Sequence, residues 1–262
     1  MIRWFDTHAH YNDERFEDPE ICPNGTDAFL DELFGTSVSG IVNAASDLET
    51  SRSGLALAHR HAGMYAGVGI HPHECEKSGD MEAALSAVEA LLADEKAVAI
   101  GEIGLDYHYD FSPREMQKEW FSAQMALAEK TGYPVIIHNR ESTGDCVEIL
   151  RRFPTVRGII HSCSCSAETV RELVAMGYYI SFSGSVTFKN AENLRRAAEA
   201  VPSDRLLIET DCPYLAPVPY RGRCNHSGYL SATAAVLAEV RGTDPETLAA
   251  LTERNAHAIF RI

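Results

Sequence analysis

Short apolar segments recur along the chain, separated by stretches long enough to hold a helix. These segments are rich in β-branched residues and run as continuous apolar stretches, without alternating apolar and polar positions. Continuous apolar runs are typical of parallel strands that are covered on both faces. The pattern predicts eight strands, at residues 2–6, 40–44, 64–70, 97–101, 134–138, 157–161, 178–182 and 205–210.

Helix boundary signals lie between the predicted strands. Ser46 and Glu49 have the spacing of a capping box, and Ser112 precedes Pro113 as an N-cap precedes a proline at the first helical position. Gly132 is placed to end the helix that starts there. Further helix starts are predicted at Asp80, Ser166 and Asp244.

Eight repeats of a strand followed by a helix imply parallel pairing through right-handed crossovers. At this length the simplest closure is an α/β fold of the (β/α)8 type, a TIM barrel. We expect residues 1–262 to form one such domain. An open doubly wound sheet is the alternative architecture.

Composition and charge narrow the classes of function. A hydrophobic content of 45% and a charged content of 23% exclude collagen and wholesale disorder. The net charge of −15 argues against a broad basic face for nucleic acid, but it allows a local site where metal ions supply positive charge.

Features that would direct the chain to a membrane or out of the cell are not evident in the sequence. No apolar run approaches the ~18 residues of a membrane span, and the first residues do not have the regions of a signal peptide. Seven cysteines, an odd number, indicate reduced thiols. We therefore expect a cytoplasmic protein without a membrane partner, and no feature indicates an obligate protein partner.

Side chains that can ligate metals stand at the carboxyl ends of six predicted strands. His8 and His10 follow the first strand and point the same way, because side chains alternate along a strand. Asp6 lies behind them and is placed to orient one imidazole. Such strand ends meet at one mouth of a barrel. The other members of this set are His71, Glu102, His138, His161, Glu209 and Asp211.

Four of these histidines together with two of the carboxylates are enough to indicate a metal centre. Six nitrogen and oxygen ligands are enough for two divalent ions about 3.5–4 Å apart. Glu102 is the natural bridge between them, because a carboxylate has two oxygens to share. We expect one or two divalent ions as cofactors, and the ligand types leave Mg²⁺, Mn²⁺ and Zn²⁺ open.

The motifs around these residues resemble the TatD family of metal-dependent deoxyribonucleases, within the wider amidohydrolase-like barrels. They include DTHAH at residues 6–10, GIHP at 69–72, GEIGLDY at 101–107, HNR at 138–140, ETDCPYLAP at 209–217 and RG at 221–222. The resemblance implies a (β/α)8 barrel that hydrolyses phosphodiester bonds with one or two divalent metals. The ligands it implies are His8, His10, Glu102, His138, His161 and Asp211.

Two positions depart from the family pattern. Cys165, in the segment that also holds Cys163, stands where glycine is usual, so the backbone of that loop is expected to differ. Ser227 stands where proline is usual, which is expected to loosen the second loop. Both departures leave the ligand set intact and bear on substrate preference.

These observations predict an enzyme that cleaves phosphodiester bonds of DNA. Asp211 is the candidate general base, because a carboxylate at a metal site can accept a proton from water. Glu102 is assigned to catalysis with it, as the bridge. The candidates for phosphate binding are His71, Arg140 and Arg221, and the arginines suit that role through bidentate donation.

The expected substrates are DNA or short nucleic-acid ends. The acidic charge and the expected short loops leave no wide face for a duplex, so an exonuclease acting on single-stranded or frayed ends is predicted.

Two other classes of function remain open. The first is an amidohydrolase-like hydrolase of a small-molecule ester, amide or lactone. His138 stands where many such enzymes carry a carbamylated lysine, which argues against the nearest variants. The second is a metal-binding protein without catalytic activity. Nucleotide-cofactor and serine-hydrolase motifs, such as GxGxxG and GxSxG, are absent from the sequence.

Overall fold

Eight parallel strands form the centre of the molecule, and each pairs with its neighbour in chain order. The computed structural model describes residues 2–262, so residue 1 of the predicted domain lies outside the described part. The architecture confirms the predicted (β/α)8 barrel. The strands are β1 (Trp4–Ala9), β2 (Val38–Ala44), β3 (Met64–Val68), β4 (Ala97–Asp106), β5 (Val135–Arg140), β6 (Gly158–Ile160), β7 (Tyr179–Phe182) and β8 (Leu206–Ile208).

Helices alternate with the strands and surround them. Within residues 2–262 they are α1 (Thr26–Thr36), α2 (Leu48–Arg60), α3 (Met81–Leu91), α4 (Arg114–Thr131), α5 (Thr143–Arg151), α6 (Ala167–Ala175), α7 (Glu192–Ala200), α8 (Leu230–Arg241) and α9 (Pro245–Phe260). No helix in this described range combines the length and apolar character needed to cross a membrane.

Strand alternation divides the apolar residues into an inner and an outer layer. Ile136, Ile159 and Leu207 share one buried cluster with Phe260, at the end of α9. Their chain neighbours, such as Ile137, belong to the cluster that the strands share with the surrounding helices. Residues two places after the inner-layer positions therefore face the barrel interior near its mouth.

The barrel closes between β1 and the segment that follows β8. Asp211 donates its backbone N–H to the carbonyl of His8 at 2.9 Å, and His10 donates to the carbonyl of Cys212 at 2.8 Å. Ala9 and Cys212 form an isolated parallel bridge. The closure thus places the residues after β8 directly against the end of β1.

Two features differ from the sequence prediction. Strand β4 continues to Asp106, so Glu102 lies inside the strand and is not at its end. The prediction of short loops is wrong at the mouth, because the connections after β1 and β8 span residues 10–25 and 209–229. These two connections supply much of the surface around the carboxyl ends of the strands.

Candidate metal centre

Glu102 lies at the centre of the mouth and offers a different oxygen to each side. Its Oε1 is 2.6 Å from Nδ1 of His138 and 2.8 Å from Nε2 of His161. Its Oε2 is 3.3 Å from Nε2 of His8 and 3.6 Å from Nε2 of His10. The carboxylate therefore lies between two pairs of histidines, and its role as a bridge between metal ions stays a prediction.

The structure brings all six predicted ligands together. Oδ1 of Asp211 lies 3.5 Å from Nε2 of His10 and 3.7 Å from Nε2 of His8, which makes one compact group. A second group consists of His8, Glu102 and His161, with all ligand atoms within 4.8 Å of one another. These groups can hold one or two divalent cations.

The outward nitrogens of three histidines show how the site fits a metal. Nδ1 of His10 is 3.0 Å from the carbonyl of Ala44, and Nε2 of His138 is 3.1 Å from Oδ2 of Asp106. Nδ1 of His161 is likewise 3.1 Å from Oε1 of Glu209. An acceptor on the outer nitrogen holds the proton there, so the inner nitrogen keeps its lone pair for a cation.

His71 also faces Glu102, but its tautomer is the opposite one. Its Nε2 is 3.6 Å from Oε1 of Glu102, and with Glu102 and His138 it forms a third cluster of potential ligands. Its Nδ1, however, accepts the backbone N–H of His73 at 3.1 Å, which leaves the proton of the neutral ring on Nε2. Burial lowers the pKa of His71 to about 4, so the ring presents a neutral N–H donor to the site.

The histidines around the two carboxylates at the centre favour the ionised form of each carboxylate. Burial alone would raise the pKa of Glu102, but the histidines around it, His161 and His8 first, lower that pKa well below its usual value. Burial likewise opposes ionisation of Asp211, and its hydrogen bond with His10 lowers its pKa overall. Both carboxylates are therefore anionic at neutral pH, as cation ligands must be.

Three further residues contact the predicted ligands or their partners, and the sequence assigned none of them the contact that it makes. Asp106 and Glu209 hold the outer nitrogens of His138 and His161, and His73 contacts Asp106 through its Nε2 at 2.8 Å. Glu209 follows the inner-layer residue Leu207 by two places, so strand alternation was a signal that pointed to it.

Asp6 binds backbone and hydroxyl groups and does not contact an imidazole. Its Oδ1 accepts the backbone N–H of His8 at 3.3 Å and that of Thr210 at 2.9 Å. Its Oδ2 accepts the hydroxyls of Thr210 and Ser227. Burial raises the pKa of Asp6 to about 7 despite these hydrogen bonds. Asp6 therefore does not make the expected contact with an imidazole ring, and its hydrogen bonds instead connect β1 to the loop after β8.

The two predicted phosphate-binding arginines are exposed. The guanidinium of Arg140 lies 4.8 Å from the ring centroid of Tyr109, and that of Arg221 lies 3.8 Å from the centroid of Phe188. Among residues 2–262, no carboxylate lies within 4.0 Å of either guanidinium. Both therefore keep their N–H donors available to an anion.

The two departures from the family pattern have local explanations. The left-handed residue of the first loop is Ser162, with φ 39°, and not Cys165, so no glycine is needed at that cysteine. The thiol of Cys165 is buried and accepts a hydrogen bond from Asn139. Ser227 donates its backbone N–H to the hydroxyl of Tyr11 at 2.9 Å, a bond that proline cannot make, and this bond anchors the second loop.

Comparisons with known proteins match this chain over nearly its whole length. A family model described as TatD related DNase matches residues 5–261. The uncharacterized metal-dependent hydrolase YabD of Bacillus subtilis is 41% identical over 260 residues, which cover 98% of this chain and 99% of that protein. The 3'-5' ssDNA/RNA exonuclease TatD of Enterobacter lignolyticus is 32% identical over 244 residues, which cover 90% and 93%. The crystal structure of YJJV, a TatD homologue from Escherichia coli K12, superposes with a TM-score of 0.88 at 29% identity and covers 99% and 98%.

Proposed function

The chain belongs to the family of TatD-related DNases, and from that premise we propose that it hydrolyses phosphodiester bonds of DNA from exposed strand ends. The observation that carries the proposal is the arrangement of four histidine nitrogens around the two oxygens of Glu102, with Asp211 beside them. A relative named as a 3'-5' exonuclease acting on single-stranded DNA and RNA supports the choice of substrate. The predicted cytoplasmic location stays a prediction.

The residues proposed to hold the metal are His8, His10, Glu102, His138, His161 and Asp211. When bound there, one or two divalent ions would supply Lewis-acid chemistry to a phosphodiester and lower the pKa of a water molecule. The carboxylates behind the histidines, Asp106 and Glu209, hold the proton of each neutral ring on its outer nitrogen and raise the basicity of the nitrogen that would ligate the metal.

Asp211 is proposed as the group that takes the proton of the attacking water. Its side chain is about 15% exposed, whereas that of Glu102 is about 4% exposed, so Asp211 is the more accessible of the two carboxylates. A lowered pKa keeps it ionised at neutral pH, as a base must be.

Three side chains are proposed to hold the phosphodiester. His71 offers an N–H from a buried and neutral ring, which can contact a phosphate oxygen without adding charge. Arg140 and Arg221 have no carboxylate partner in the described structure and suit bidentate contacts with phosphate oxygens. A small-molecule ester or lactone needs no such set of donors, which favours the phosphodiester.

The test is a substrate panel with purified protein and a series of divalent metals. It should contain an end-labelled single strand, a closed circular duplex, a nitrophenyl phosphodiester, and acyl ester and lactone substrates. We expect progressive shortening of the single strand, with Mg²⁺, Mn²⁺ and Zn²⁺ compared. Turnover confined to acyl or lactone substrates would contradict the proposal, and so would metal retention without turnover of any ester.

A matched pair of variants ties that activity to the site. Glu102→Gln removes the bridging charge and should abolish turnover together with most of the bound metal measured by elemental analysis. Glu246→Gln, in the exposed first turn of α9, is the control and should leave both unchanged. Equal activity in the two variants would contradict the assignment of the activity to this site.

A further inference from the structure

Two large aromatic rings are exposed in the loop between β4 and α4. Tyr109 is 48% exposed and Phe111 is 60% exposed, and their rings stack with centroids 5.2 Å apart at an interplanar angle of 16°. Exposed apolar rings that lie together commonly mark a binding surface. We call Tyr109 and Phe111 the aromatic pair.

His73 joins the aromatic pair to the metal centre. Its ring centroid lies 4.8 Å from that of Phe111 and 5.5 Å from that of Tyr109. On its other side it bonds Asp106, which bonds the proposed ligand His138. The ring centroid of His73 lies 6.2 Å from that of His138 and 4.8 Å from that of Phe111. The centroids of Phe111 and the proposed ligand His138 are therefore at most 11.0 Å apart. The pair is therefore within reach of a nucleotide next to the scissile phosphate.

Arg140 brings a free cation to the same place. Its guanidinium lies over the ring of Tyr109 at 4.8 Å, and it follows His138 by two residues on β5. Apolar rings beside an exposed cation match the two parts of a nucleotide, a flat base and a phosphate. A protein surface is a less suitable occupant, because only two rings are exposed here in an otherwise acidic molecule.

The exposed aromatic ring on the other side of the mouth is engaged with its own neighbours. Tyr214 has the guanidinium of Arg15 over its ring at 4.3 Å, and its hydroxyl is 3.4 Å from Oδ2 of Asp13. Phe111 has no polar atom to satisfy and is the most exposed of the large apolar side chains in the described range. Phe111 is thus the ring whose exposure is left without a structural explanation.

We propose that Tyr109 and Phe111 form a stacking platform for one unpaired nucleobase of the substrate strand, and that Arg140 contacts the adjoining phosphate. This assignment rests on the proposed function, because it takes the substrate to be a nucleic-acid strand. Base stacking does not depend on base identity, so the platform selects unpaired strands without selecting a sequence.

Binding is tested first, without turnover. Single-stranded oligonucleotides carry one 2-aminopurine at successive positions from the end, and stacking is read as quenching of its fluorescence. Wild-type protein should quench one position, Phe111→Ala should lose that quenching, and Phe111→Trp should restore it. Quenching that is equal in wild type and Phe111→Ala at every position would overturn the platform.

Kinetics with an abasic substrate provide the second test. Removing the base at the quenched position should raise KM for the wild type about fivefold or more, and Phe111→Ala should raise KM for the intact strand by a similar factor. The two changes together should cost no more than either alone, because both remove the same stack. Fully additive losses would overturn the assignment.

Arg140 has a matched control at the opposite end of the barrel. The guanidinium of Arg205 lies 4.9 Å from the centroid of Tyr179, the same kind of contact far from the mouth. Arg140→Ala should weaken strand binding and reduce its salt dependence, whereas Arg205→Ala should change neither. If the wild type cleaves no oligonucleotide, the proposed function fails. If it cleaves them with the same KM before and after Phe111→Ala, only the platform fails.

Discussion

Asp211, the proposed general base, is held in a backbone conformation that residues other than glycine rarely adopt. It has φ 55°, in the left-handed region. The hydrogen bond from its N–H to the carbonyl of His8 holds it there, at the junction that closes the barrel. Such strain costs about 1–3 kcal/mol and tends to occur at functional sites.

Replacement of Asp211 by asparagine tests its role as a base. Asp211→Asn keeps the size and one oxygen ligand but removes the proton acceptor, so kcat should fall by ~10²-fold or more. Elemental analysis checks whether the metal is retained. Asp204→Asn, at an exposed position before β8, is the control. Near-normal turnover of Asp211→Asn would mean that another group is the base.

His226 gives a prediction for the dependence of stability on pH. Burial lowers its pKa to about 4, from an ordinary 6.5. Between those values the unfolded chain binds a proton at His226 that the folded protein does not, so the contribution of His226 lowers the free energy of unfolding as pH drops through this window. The expected loss is about 1–3 kcal/mol, and it levels off below pH 4.

Urea unfolding of the wild type and His226→Asn from pH 7 to pH 4 measures this effect. Asparagine can keep the acceptor that His226 offers to the N–H of Gly228. Because loss of the ring contact with Tyr229 lowers stability at every pH, the slope of the free energy of unfolding against pH is the quantity to compare. The variant should have the shallower slope, and parallel curves would contradict the prediction.

At the scale of elements, the helix starts show which local signals are decisive. Asp80, Ser166 and Asp244 cap α3, α6 and α9, as predicted from sequence. The capping box of α2 is formed by Asp47 with Thr50, one residue later than predicted. Ser112 does not cap α4, because its Oγ accepts the backbone N–H of Glu76 at 3.1 Å, while its hydroxyl donates to the carbonyl of His73 in the same neighbouring loop. A distant N–H donor thus replaced the local one.

Gly104 sits at a close approach between β4 and β5. It pairs with His138, has φ +139°, and a Cβ atom there would overlap the carbonyl oxygen of His138. Gly104→Ala should therefore force the two strands apart and displace the ligand ring. We expect a loss of more than ~3 kcal/mol in stability, or failure to fold.

Gly35→Ala is the matched control for that substitution. Gly35 lies in α1 with open space around it, where alanine should stabilise the helix by about 0.5–1 kcal/mol. Thermal unfolding of both variants, with metal content measured for any folded Gly104→Ala, makes the comparison. Equal melting temperatures for the two variants would contradict this account of β4 and β5.

For the whole molecule, net charge limits how the proposed DNA substrate can bind. With a net charge of −15, we expect phosphate contacts to come from the metal centre and a few basic side chains. The slope of log K against log salt counts neutralised phosphates and should be about −1 to −3 for a single strand. Binding titrations across a salt series measure it, and a slope near −8 would reveal a wide basic face.

The acidic charge also predicts which forms of DNA the protein cleaves. Linear strands with exposed ends should be degraded, and closed circular duplex should stay intact over the same time. The long connections after β1 and β8 border the mouth and are the part of the fold that could widen the binding face. Rapid nicking of closed circles would show that they engage a duplex.

The sequence alone determined the barrel and the convergence of its six proposed ligands. Eight continuous apolar runs predicted the strands, and alternation placed His138 and His161 two residues beyond the inner-layer positions Ile136 and Ile159. In a closed barrel these side chains point into the interior at the mouth. The single-domain organisation over residues 1–262 stays a prediction.

Only the tertiary structure decided how each histidine is used. The partner of His161 is Glu209, 48 residues away, and the partner of His138 is Asp106, 32 residues away. The tautomer of His71 is set by the backbone N–H of His73, and that contact depends on the path of the loop after β3. Such pairings follow from the stagger of neighbouring strands and the course of the loops. Local periodicity in the sequence does not specify them, because periodicity determines the face on which a side chain lies and not the residue that it contacts.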